Sequence, residues 1–75
     1  MQIDRDIDAS GLNCPLPLMK AKKALTEMQS GQVLRLVATD SGSMRDILAF
    51  AKQSGHEMIE QQHIGKQYIH VLRCR

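Results

Sequence analysis

The spacing of apolar and polar positions along this chain switches repeatedly between two periods, and each switch marks an element. Residues 2–8 alternate, with Ile3 and Ile7 on one side and Asp4, Asp6 and Asp8 on the other. Successive strand side chains point to opposite faces, so this predicts a half-buried strand, broken by Gly11. From Pro17 to Met28 the apolar residues Leu18, Ala21, Leu25 and Met28 recur at helical spacing, while Lys20, Lys23 and Glu27 are left for water. Gly31 is the expected stop. Val33 to Thr39, rich in β-branched and aliphatic residues, predicts a well-covered strand ended by Asp40-Ser41-Gly42. Ser43 followed by Asp46 resembles a capping box. Met44, Ile47, Leu48 and Ala51 then form the stripe of a second helix, closed by Gly55. His56–His63 and Gln67–Arg73 predict two strands joined by the turn Ile64-Gly65-Lys66. With residue 63 opposite residue 67, Ile59, Ile69 and Val71 would share the inner face.

The resulting order, βαβαββ, predicts an α/β (α+β) two-layer sandwich: a four-stranded mixed sheet with two helices on one face. Right-handed crossovers return the chain parallel, so the first three strands run one way and the closing hairpin makes the fourth antiparallel. Cys14 then follows the far end of strand one, and Cys74 follows strand four at the opposite end. A six-residue strand spans about 20 Å, against a limit of about 7 Å between the Cα atoms of a disulfide. The two cysteines are not expected to pair.

Composition narrows the picture further. Seventy-five residues make one domain, 1–75, with a single modest core. No apolar run approaches the roughly 18 residues that span a bilayer, and the opening Met-Gln-Ile-Asp-Arg-Asp is too polar for a signal peptide, so a reducing cytoplasm is expected. Two distant cysteines make neither a disulfide framework nor a zinc site. His56, His63 and His70 recur at an interval that fits no common zinc spacing, and no metal is expected. The net charge is only +2 and the aromatics are Phe50 and Tyr68 alone, a poor basis for stacking nucleic-acid bases.

The unusual chemistry lies at Cys14-Pro15-Leu16-Pro17. Proline lacks an N–H, which costs nothing in a first helical turn, so the two prolines announce a helix start. Either Cys14 is the N-cap with Pro15 first, or Leu16 is the cap with Pro17 first. A sulfur there faces the positive end of the helix dipole, which should lower its pKa below the roughly 8.5 of a free thiol. The bland alternative is a small buried structural cysteine. Asp8 could orient the Cys14 loop or cap its amides. Lys20, Lys22 and Lys23 form a basic cluster on the first helix, which begins just after Cys14, and make either a solvated face or a partner-docking surface. Leu12 and Leu16 would form an exposed apolar rim. For Asp40 and Asp46, helix capping is a sufficient role.

Asp8, Gly11, the Cys14-Pro15-Leu16-Pro17 motif, and Asp40 and Asp46 beyond it closely resemble the TusA/SirA-like small sulfur-carrier family over essentially the whole chain. Ser41 stands where that family commonly has proline, and Cys74 matches no functional position. The resemblance implies a two-layer sandwich and a persulfide carried on Cys14. Asp8, Gly11, Pro15, Leu16 and Pro17 would support the thiol loop and helix start. The donor would be a cysteine desulfurase or a rhodanese, and the acceptor a thiol-containing protein of a sulfur relay. That relay would serve tRNA thiolation, molybdenum-cofactor supply or sulfur oxidation. A lone thiol cannot run a Cys-x-x-Cys cycle but can accept a sulfane sulfur without a cofactor. The competing readings are a regulatory or binding module with a structural Cys14 and, more remotely, a nucleic-acid-binding domain; neither direct nucleic-acid contact nor a membrane is expected.

Overall fold

The computed structural model describes residues 1–75. Its elements are β1 (Arg5–Ala9), α1 (Leu16–Glu27), β2 (Val33–Ala38), α2 (Gly42–Ser54), β3 (Glu57–Ile64) and β4 (Gln67–Arg73). They form the expected βαβαββ order in one sheet, with strands in the sequence β1-β2-β4-β3. β1 and β2 are parallel, and β4 is antiparallel to both β2 and β3. The first three strands therefore run in one direction, as the crossover argument requires.

The core lies between the sheet and the two helices. Leu34, Leu36 and Ala38 of β2 meet Ala21, Ala24 and Leu25 of α1, Ile47 and Ala51 of α2, and Leu72 of β4. Removing a buried leucine side chain from water contributes about 1.5–3 kcal/mol, and these residues hold the two layers together. In β1, Ile7 packs against this core while Asp6 faces away and pairs with Arg35. The alternation seen in the sequence is thus borne out between Asp6 and Asp8, although the strand starts at Arg5 and Ile3 precedes it.

The hairpin corrects the expected register. Ile64 pairs with Gln67 and His63 with Tyr68, one place from the predicted pairing, and a bulge between Met58 and Glu60 makes Ile59 an extra residue. A one-residue slip moves every side chain to the other face. Tyr68, His70 and Leu72 therefore align with the inward-facing Ala38, Leu36 and Leu34. Ile69 and Val71 pair with Val37 and Arg35 on the face away from the helices.

Both helix boundaries also differ from expectation. α1 ends at Glu27 with an extended Met28, and Gly31 (φ 89°) belongs to the turn that follows. α2 begins at Gly42, so Ser43 lies inside the helix and caps nothing. Ser43 is buried and its Oγ is 3.0 Å from His70 Nε2. Gly55 does close α2, in the left-handed conformation at φ 84°.

Candidate functional site

The loops that leave the carboxyl ends of β1 and β2 lie side by side, because parallel neighbours deliver their following loops to the same edge. The Gly11 N–H donates to Thr39 Oγ1 at 2.8 Å, tying these two loops together. Gly11 has φ 81°, a conformation that favours glycine. Asp8 does not reach the thiol; its Oδ1 accepts the Ser10 N–H at 2.9 Å and shapes the start of the loop. The Ser10 side chain, together with this N–H, holds the Asp8 carboxyl below the usual carboxylate range.

Cys14 is exposed at the end of this loop. Its cap geometry matches neither predicted register: Pro15 is the N-cap, Leu16 is the first helical residue and Pro17 the second. Pro17 is buried in the first turn, as a proline without a donor can be there. The Leu16 N–H donates to Asn13 O at 2.8 Å, and Met19 N–H is the first to bond back, to Pro15 O.

The environment of the thiol reverses its expected acidity. Cys14 Sγ donates to Asp46 Oδ2 at 3.0 Å. This bond, with the charges of Asp46 and Asp40, pushes the thiol pKa above its ordinary value, and Arg45 offsets only part of it. A thiolate would face a carboxylate, and a full negative charge in contact outweighs a helix end worth about half a charge. The same prolines that mark the helix start also remove two amides that could have stabilised the anion, and Asn13 occupies a third.

Asp46 and Asp40 are the residues that sequence reasoning undervalued. Neither caps α2 through its side chain. Asp46 projects from the first turns of α2 to the thiol, with its other oxygen 3.5 Å from Arg45 Nε. Asp40 Oδ2 is buried without a hydrogen-bond partner, close to Gly42, where a Cβ would come within 3.1 Å of it. The usable signal was topological: Asp40 and Asp46 follow β2 as Cys14 follows β1, and parallel neighbouring strands bring both loops to one edge.

The three lysines are not one cluster. Lys20 and Lys23 line a groove of about 220 Å³ with Arg5, Ile7, Ala24 and Glu27, whereas Lys22 Nζ lies 5.5 Å from the ring centre of Phe50 on α2. Of the predicted apolar rim, Leu16 is 46% exposed but Leu12 packs against the core. Met19, not anticipated, is 55% exposed one turn from the thiol end. Cys74 is buried, its N–H bonded to Gln32 O and its carbonyl to the Gly31 N–H, at the end of the sheet opposite Cys14. Both cysteines are free.

The sequence profile of the family described as Sulfurtransferase TusA matches residues 5–74. The chain belongs to the TusA family. It is 51% identical over 70 residues to the sulfur carrier protein TusA of Allochromatium vinosum, covering 93% of this chain and 92% of the relative. It is 41% identical over 70 residues to TusA of Pseudomonas entomophila, covering 93% and 88%. The crystal structure of a SirA-like protein from Desulfitobacterium hafniense superposes with a TM-score of 0.82 at 27% identity, covering 92% of this chain and 95% of that one. Membership of the TusA family places the chain among proteins that carry sulfur, and no helix is long and apolar enough to cross a membrane.

Proposed function

We propose that this protein carries sulfane sulfur as a persulfide on Cys14. The reading rests above all on the exposure of Cys14 at the joined β1 and β2 loops, while Cys74 is buried at the far end of the sheet. In the loading half-reaction, the Cys14 sulfur attacks the outer sulfur of a donor persulfide. A new S–S bond forms on Cys14, the donor's S–S bond breaks, and the electron pair departs on the donor cysteine. In the unloading half-reaction an acceptor thiolate attacks the outer sulfur of the Cys14 persulfide and returns the Cys14 thiolate. One thiol and one persulfide exchange roles in each step, so neither needs an external oxidant or a cofactor.

The donor in this scheme is a cysteine desulfurase or a rhodanese, and the acceptor a protein thiol serving tRNA thiolation, molybdenum-cofactor supply or sulfur oxidation in the cytoplasm. The domain contributes an accessible sulfur on a rigid edge, with Leu16 and Met19 as apolar contacts beside it. Intact-mass analysis after incubation with a cysteine desulfurase and cysteine tests the assignment. Cys74→Ser should gain a species heavier by one sulfur atom, and Cys14→Ser should not. Equal loading of both variants, or loading through Cys74 alone, would overturn it.

A further inference from the structure

Among the groups outside the proposed sulfur chemistry, Asp46 stands in the most informative place. It is the only side chain that hydrogen-bonds the Cys14 thiol, it comes from the other helix, and its second oxygen has one weak partner in Arg45, which is itself 85% exposed. We propose that Asp46 is a positioning residue that holds Cys14 as a hydrogen-bonded thiol in the free protein and releases it when a cationic side chain of a partner engages the carboxylate. The proposal rests on the carrier reading of Cys14 and adds to it a reason for the free protein to be quiet and the docked one reactive.

The geometry requires a proton on sulfur for the contact to be favourable. At 3.0 Å a thiol S–H donates to the Asp46 carboxylate, whereas a thiolate at that distance would place two anions in contact. The charged groups that act on Cys14 are Asp46, Asp40 and Arg45. Two of these are acidic, and the single cation bonds Asp46 at 3.5 Å rather than the sulfur. In the free protein Arg45 therefore compensates the two carboxylates only in part.

A lysine or arginine of the partner fits what is left open. The Asp46 side chain is 21% exposed, which leaves its carboxylate partly open to a guanidinium or ammonium. Such a cation would draw the carboxylate's charge to itself and lower the cost of ionising Cys14. The proton then leaves to solvent, the thiolate attacks the outer sulfur of the donor persulfide, and the donor cysteine leaves with the electron pair of the broken S–S bond. Proton loss and group transfer balance without an added oxidant or reductant.

The test compares Asp46→Asn with the parent, both in the Cys74→Ser background, using iodoacetamide, a neutral reagent, across pH. Asparagine keeps the shape and an acceptor oxygen but removes the charge. The alkylation midpoint of Asp46→Asn should fall, and its rate at pH 7 should rise on the order of threefold to tenfold. Raising the salt concentration should speed the parent and leave Asp46→Asn nearly unchanged, because only the parent has the Asp46 charge to screen. A variant with native circular dichroism that alkylates no faster than its parent would overturn the proposal. Oligolysine gives a second arm: at low salt it should speed alkylation of the parent more than that of Asp46→Asn, and equal effects would reject the cationic trigger. Sulfur loading from the desulfurase is followed separately on both proteins. Failure of both to load would count against the carrier reading, whereas loading with unchanged alkylation would count against Asp46 alone.

Discussion

His70 is fully buried, and its two ring nitrogens are both satisfied. Gln61 Nε2 lies 2.9 Å from Met44 O, which can only accept, so that nitrogen is the amide donor. Its second hydrogen points to His70 Nδ1 at 3.1 Å, which leaves the ring proton on Nε2, donated to Ser43 Oγ at 3.0 Å. Burial pushes the His70 pKa down to about 4. The unfolded chain would bind a proton near pH 6.5, so below that pH the unfolded state takes up more protons and folding weakens. This contribution is intact above about pH 6.5, falls as the pH drops toward 4, and amounts to about 3 kcal/mol once lost. Urea unfolding at pH 7 and pH 4.5 should show the lower midpoint at pH 4.5. His70→Gln should be less stable than the parent at pH 7 yet lose much less on going to pH 4.5; an unchanged pH slope would remove His70 as the cause. Asp6 and Asp8, held low by Arg35 and by Ser10, act in the same sense in a more acidic range, where protonating them removes their stabilisation of the fold.

Among the elements, α2 carries the strongest local constraint at its end. Gly55 has φ 84°, its N–H donates to Ala51 O at 3.1 Å, and a Cβ there would meet the Arg75 side chain at 3.1 Å. Gly55→Ala should therefore cost about 1–2 kcal/mol, most of it backbone strain, since Arg75 is flexible enough to move. A fall in thermal midpoint with unchanged far-ultraviolet circular dichroism would confirm this; a midpoint equal to the parent's would show that the helix end relaxes. The opposite end of α2 was misjudged from its sequence because Ser43 and Asp46 have the residue types and spacing of a capping box. Their side chains are drawn elsewhere: Ser43 to His70 in the sheet and Asp46 to Cys14. In the β3–β4 hairpin, alternation was legible but its phase was not, because the bulge at Ile59 adds a residue that no periodicity announces.

For the molecule as a whole, the two signs of charge are gathered in different places. Asp40 and Asp46 flank the thiol, while Lys20, Lys23 and Arg5 border the groove between α1 and β1. If Lys20 and Lys23 steer acidic partners, the double Lys→Glu variant should transfer sulfur more slowly through its association rate. Its melting should be unchanged, and its difference from the parent should shrink as salt is added. Equal transfer rates at low salt would make these lysines a solvated face. Lys22→Glu is a different experiment, because Lys22 lies over Phe50. It should lower stability by about 0.5–1 kcal/mol, and a chemical-denaturation midpoint identical to the parent's would deny the contact any weight.

The sequence by itself determined the order of elements and the parallel start and antiparallel close of the sheet, and it singled out Cys14 as the candidate thiol. These follow from local and nearest-neighbour physics: period two against period 3.6, prolines that fit only the start of a helix, and the handedness of crossovers. Tertiary structure alone decided which hairpin residues face inward, how the three lysines divide, and the protonation preference of the thiol. Each of these depends on a partner distant in the chain. Cys14 and Asp46 are 32 positions apart and 3.0 Å apart in space, and a carboxylate in contact with sulfur outweighs the dipole of the helix to which the sulfur belongs.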